Sequence, residues 1–168
     1  ALEGTLEVVT WEDIDAEGAS VGAASAGSLE SSDESMSDRY VDAYEISVSR
    51  GDSLDITVSG NFDTTLRVVG PGGEEFVNDD APDYFGLGNT DSGLTAEFSR
   101  SGTARVYVSS YYGGDTGDYE LFIGEEGDRP SIDDLPSEEI RVGSSITGSF
   151  GADVTFQGSP AAVYTLRA

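Results

Sequence analysis

The sequence predicts an all-β protein, an antiparallel β-sandwich of jelly-roll-like form with extra terminal strands. Three observations carry this. Apolar and polar residues alternate in segment after segment, short Gly- and Asp-rich turns separate those segments, and no stretch shows a capped 3.6-residue apolar stripe. A sheet buries only one face, so strands at this density need a second sheet to cover the first.

Each strand reads off in order. Tyr44, Ile46 and Val48 share one face while Glu45, Ser47 and Ser49 take the other. After a turn at Arg50-Gly51-Asp52 the pattern returns in Leu54, Ile56 and Val58. Leu66 and Val68 run into Gly70-Pro71-Gly72-Gly73, a turn whose glycines permit positive φ. Leu94 to Phe98, Ala104 to Ser109 and Tyr119 to Ile123 complete the set, the last two joined through Gly113-Gly114-Asp115-Thr116-Gly117. The expected core is Tyr44, Ile46, Val48, Leu54, Ile56, Val58, Leu66, Val68, Phe98, Val106, Val108, Tyr119 and Leu121.

Composition bounds what such a sandwich does. At 168 residues and 37% apolar content there is material for a real core, and more chain than a sandwich of about 100 residues needs. The 33 acidic residues against eight Arg, with no Lys, give a net charge of -25, a surface that repels nucleic acid and anionic lipid. The chain has no Cys and no His, which removes disulfides, thiolate metal sites and the commonest general base. The serines stand in no Gly-x-Ser-x-Gly elbow, and carboxylate pairs carry no signal in so acidic a chain, so no enzyme is expected. No apolar run approaches a membrane span, and an Ala1 start suits a mature terminus left by signal cleavage. Any glycan would be O-linked, because no Asn-x-Ser/Thr acceptor is present.

A series of short motifs resembles the pre-peptidase C-terminal domain appended to secreted bacterial and archaeal proteases. They are Asp42-Ala43-Tyr44-Glu45-Ile46, Gly51-Asp52-Ser53-Leu54-Asp55-Ile56, Phe62-Asp63-Thr64-Thr65-Leu66, Pro71-Gly72-Gly73, Asn78-Asp79-Asp80, Gly102-Thr103-Ala104-Arg105-Val106-Tyr107-Val108 and Gly117-Asp118-Tyr119-Glu120-Leu121. Their order over residues 21–124 makes the match, and the resemblance implies a jelly-roll-like sandwich without an active site of its own. It also implies similarity to carbohydrate- or protein-binding appendages, some of which bind calcium.

The chain also resembles itself. Val21-Gly22 followed by Gly27-Ser28-Leu29 recurs, 121 residues on, as Val142-Gly143 followed by Gly148-Ser149-Phe150. Ala43-Tyr44-Glu45-Ile46-Ser47-Val48 is echoed by Val163-Tyr164-Thr165-Leu166-Arg167-Ala168, and Gly4-Thr5-Leu6-Glu7-Val8-Val9 resembles the closing strand Gly117 to Phe122. The expected organisation is a closing-strand-like segment (1–10), an acidic linker (11–20), one complete sandwich (21–124), an acidic linker with Pro130 and Pro136 (125–139), and the opening strands of a second unit (140–168).

Apolar strands at the two extremities, Leu2, Gly4, Leu6 and Val8 on one side and Ile146, Phe150, Tyr164 and Leu166 on the other, cannot bury their faces alone. Three arrangements satisfy them: pairing within one chain, head-to-tail strand addition between copies, or membership of a longer tandem array. The second satisfies both extremities at once and is the favoured reading. Asp79, Asp80 and Asp83 in one loop offer hard oxygen ligands that calcium would accept, against the plainer reading of an Asx turn; the linker acids Asp128, Asp133 and Asp134 form a second such group. Tyr111 and Tyr112 are candidates for exposed recognition, and Trp11 for plugging a neighbour or capping its own domain.

The expected function is that of an extracellular, non-catalytic structural subunit of a filament or surface assembly. Its expected partners are copies of itself, then extracellular glycan or protein. The alternative is a binding appendage that holds a secreted hydrolase on protein or polysaccharide.

Overall fold

The computed structural model describes residues 10–82 and 85–127 in full and, beyond them, the backbone of four short strands. One sheet runs, in spatial order, β1 (Ala16–Gly18), β4 (Arg39–Val48), β9 (Gly102–Ser110), β6 (Thr64–Val69) and β7 (Glu75–Asn78), with β3 (Ser35–Met36) hairpinned onto the start of β4. The facing sheet runs β2 (Ala23–Leu29), β10 (Gly117–Glu125), β5 (Ser53–Gly60) and β8 (Ser92–Glu97). All pairings in the sandwich are antiparallel except β1 with β4.

The period-two pattern puts alternate side chains between the sheets, and every expected core residue lies in that buried cluster. Leu29, Leu94, Ala96, Ala104 and Ile123 join it. Tyr119 lies over its cross-strand neighbour Gly27 on β2, where a Cβ would stand 2.3 Å from the Tyr119 Cζ, and its hydroxyl reaches Asp42 and Tyr44 of β4 in the facing sheet. Only glycine fits beneath the ring.

A second, smaller cluster lies on the opposite face of the first sheet: Ile14, Val41, Ala43 and Tyr107, with Trp11 and Met36 packed against it. Its cover is the segment expected to be an acidic linker. Residues 11–20 instead form a one-turn 3₁₀ helix (Trp11–Asp13), a buried Ile14 and strand β1, so the sandwich begins near residue 11 rather than 21. The reason is a strap-like clamp. Arg105 on β9 donates from Nη1 to the carbonyls of Trp11 (3.2 Å) and Glu12 (2.8 Å) and from Nη2 to that of Ile14 (2.7 Å). Its Nε lies 3.3 Å from Glu45 Oε1. Arg67, bidentate with Glu75 at 2.6 and 2.8 Å, stacks its guanidinium 4.8 Å from the centre of the Trp11 ring.

The segment 125–139 is not wholly a spacer either, because Glu125 closes β10 and Ser137 opens β11 (Ser137–Arg141). The turn after β10 is pinned to the sandwich: Gly127 N donates to the buried Asp55 Oδ2 at 2.8 Å, and Glu126 N to Ser53 O at 3.0 Å.

Beyond the complete unit, β11 pairs in parallel with β14 (Val163–Arg167), and β12 (Thr155–Phe156) forms an antiparallel pair with β13 (Ser159–Pro160). Both pairings repeat the first unit in register. Ser137 opposes Val163 and Glu138 opposes Tyr164, as Ala16 opposes Ala43 and Glu17 opposes Tyr44. Thr155 opposes Pro160 and Phe156 opposes Ser159, as Ser35 opposes Tyr40 and Met36 opposes Arg39.

Candidate recognition face

Strand β9 ends in Ser109-Ser110 and enters the loop at Tyr111-Tyr112. The loop is tied down on two sides. Tyr111 N donates to Asp63 O at 2.8 Å and Gly114 N to Asp38 O at 2.9 Å, while Ser110 Oγ donates to the Tyr112 carbonyl at 2.6 Å. Asp38 sits in the two-residue β3–β4 turn, where Ser37 and Asp38 both take positive φ, 53° and 68°. The rings are nonetheless open to solvent, Tyr111 at 42% and Tyr112 at 60% exposure. They meet edge to face with centroids 5.0 Å apart, and the Arg39 guanidinium lies 5.7 Å from the Tyr111 centroid.

The surroundings are acidic. Asp63 is held above the usual carboxylate range by desolvation and then by the charges of Asp80, Asp79 and Asp115. Asp79 and Asp80 were the expected calcium ligands, and Asp83 lies outside the described residues. Among the described residues, which leave out Asp83, no three or more carboxylates converge as a metal site. Asn78 has a different task, accepting from Gly93 N at 3.0 Å and donating to Asp80 O at 2.9 Å.

A second concavity, of about 380 Å³, opens between the edge strands β1 and β2. Sequence reading passed over it. Asp15, Glu17, Asp33, Asp42 and Tyr44 line it, and Tyr119 donates to Asp42 Oδ2 at 2.5 Å while its oxygen lies 2.6 Å from Tyr44 Oη. Burial, only partly offset by the Tyr119 hydrogen bond, pushes the Asp42 carboxyl up, and burial pushes the Tyr119 phenol up strongly. The carboxylates come from a strand, a turn and a neighbouring strand edge that only the fold brings together, although the acid at alternate positions 13, 15 and 17 was a signal for an edge strand.

Of the other expected site residues, Trp11 caps its own domain, its ring 5.1 Å from that of Tyr107. Tyr164 and Leu166 lie on β14. Leu2, Gly4, Leu6, Val8, Ile146 and Phe150, and the linker acids Asp128, Asp133 and Asp134, lie outside the described residues.

No family model matches this chain, and no curated protein does. Solved structures do. The chain is similar to the pre-peptidase C-terminal domain of a collagenase from Bacillus anthracis, with a TM-score of 0.50 and 20% identity over 66% of this chain and 95% of that one. It also matches PliG, a periplasmic inhibitor of g-type lysozyme from Aeromonas hydrophila, with a TM-score of 0.41 and 16% identity over 65% of this chain and 97% of that one. The fold is therefore that of a pre-peptidase C-terminal domain, as the motifs imply. Among the described residues no helix is long and apolar enough to cross a membrane.

Proposed function

We propose that this chain is a non-catalytic, extracellular structural module built from successive sandwich units, and that its second unit is completed by a closing strand from a neighbouring copy. The observation that carries this reading is the recurrence, in register, of the first unit's opening pairings in β11–β14 and β12–β13. Chance similarity of composition does not reproduce a parallel strand pair and a hairpin in the same order.

In the complete unit β4 lies between β1 and β9, whereas among the described residues its copy β14 has β11 alone. Likewise β2 is held by β10, the strand that residues 4–9 resemble in sequence. An edge strand is a template for strand addition, and residues 4–9 of a second copy supply a sequence of matching pattern. The interface is heterologous, so it propagates into an open filament. The lack of His and Cys, and the absence of any nucleophile elbow, support a non-catalytic role.

Sedimentation velocity of the 168-residue polypeptide beside a version limited to residues 10–127, which retains the whole sandwich, tests this. The longer chain forms concentration-dependent polymers and the shorter one stays monomeric. A longer chain that is monomeric at all concentrations refutes the proposal.

A further inference from the structure

The outer end of the β3-β4-β9 face presents a feature that strand complementation does not use. Tyr111 and Tyr112 are large side chains left exposed, whereas most other rings among the described residues are buried or packed against one of the two buried clusters. Their loop is fixed by backbone bonds to Asp63 and Asp38, so the backbone that carries the rings is ordered before binding. Mobile display would need no such ties. The pair is not self-contained either: Arg39 covers the Tyr111 ring, and no cation among the described residues is found over Tyr112.

Charge decides what such a platform takes. The carboxylates of Asp38, Asp63 and Asp115 belong to the two turns and the loop that build it, and Arg39 is the basic residue at its edge. An anionic glycan is repelled by this surface, in a chain of net charge -25. A cationic side chain gains twice, from the face of the Tyr112 ring and from the surrounding carboxylates.

We propose that Tyr111 and Tyr112, with Asp38, Asp63 and Asp115, form a docking site for an Arg- or Lys-bearing polypeptide segment of a partner protein. Recognition consists of a cation stacked on Tyr112, with its N–H groups donating to the loop carboxylates. This site is independent of the strand edges and remains present when these are filled.

The test is binding of the 168-residue chain to a flexible peptide with two Arg among Gly and Ser, read by calorimetry in moderate salt. The same peptide with Gln for Arg, and a neutral oligosaccharide, serve as alternative probes. The Arg peptide binds, and Tyr112→Ala weakens it by about 5- to 30-fold, the range of a partly desolvated cation–π contact. Asp115→Asn also weakens binding, whereas Val21→Ala, at an exposed apolar residue of β2's approach, leaves it unchanged. Because Tyr112 is exposed, an unaltered melting temperature verifies that its variant folds. Equal affinity for Tyr112→Ala and the unaltered chain, meaning diffuse attraction to an acidic protein, overturns the proposal. So does tighter binding of the Gln peptide or of the oligosaccharide.

Discussion

At the scale of single residues, two contacts set limits that substitutions can read. The ring of Tyr119 lies so close over Gly27 that a methyl there must displace it, because the nearest ring atom is 2.3 Å from the Cβ position. Gly27→Ala is therefore expected to destabilise the sandwich by about 1–3 kcal/mol, the usual range for overpacking, as measured by urea unfolding. Asp42 beside it has a folded-state pKa raised by burial, with Asp33, Glu17 and Glu30 adding repulsion and Tyr119 opposing it through a hydrogen bond. A raised carboxyl means that the folded chain binds the proton more readily than the unfolded one, so this group costs stability as pH rises through the interval between the two values. Asp42→Asn removes that dependence: its stability relative to the unaltered chain is greatest near neutral pH and declines as pH falls toward about 4. Glu74 runs the other way. It accepts from Ser99 Oγ, from Ser99 N at 2.6 Å and from Gly72 N at 2.9 Å, and these bonds hold its carboxyl down to about 2. Its contribution is complete above the ordinary value of 4.5 and is lost as pH falls through about 2, so Glu74→Gln flattens the acid limb of the stability profile.

At the scale of elements, the strap is the part that sequence reading turned around. Strands β4, β5, β6, β9 and β10 were legible because β-branched and aromatic residues alternate with polar ones, and the predicted core holds at every position. Segment 11–18 was not, because it is short and acidic and its two apolar anchors, Trp11 and Ile14, show no period of two. What fixes it is remote: an arginine on β9 that collects three of its carbonyls. Strand β2 escaped for another reason, since Ala23-Ala24-Ser25-Ala26-Gly27-Ser28-Leu29 has one large apolar residue and pairs through its backbone against β10. The acidic cleft between β1 and β2 was illegible with them, because it exists only where those two edges approach. A signal for the strap did exist in the repeat, where Trp11-Glu12-Asp13-Ile14 is matched by Ile132-Asp133-Asp134-Leu135 at the same 121-residue spacing as Val21 and Val142. Two outcomes follow. Ile14→Ala is expected to cost about 2–5 kcal/mol in urea unfolding, as a fully buried aliphatic side chain does. Arg105→Met keeps the stem but removes the donors, and hydrogen exchange then shows protection lost in β1 while the amides of β5 and β10 keep theirs.

At the scale of the whole molecule, the repeat of strand pairings is the fact from which assembly is argued. In the complete unit Tyr119 of β10 stands opposite Gly27 of β2. Leu6 holds the place of Tyr119 in the closing-strand-like segment, and Gly148 that of Gly27 in the second unit. If one copy's closing strand fills the next copy's second unit, Leu6 and Gly148 of different molecules become cross-strand neighbours, at a separation a disulfide spans. The chain has no Cys of its own, so an engineered pair is read without background. Leu6→Cys combined with Gly148→Cys, oxidised under native conditions and run on a non-reducing gel, is expected to give a ladder of covalent oligomers that collapses on reduction. A disulfide confined to the single chain, or no disulfide at all, contradicts assembly by strand exchange between copies.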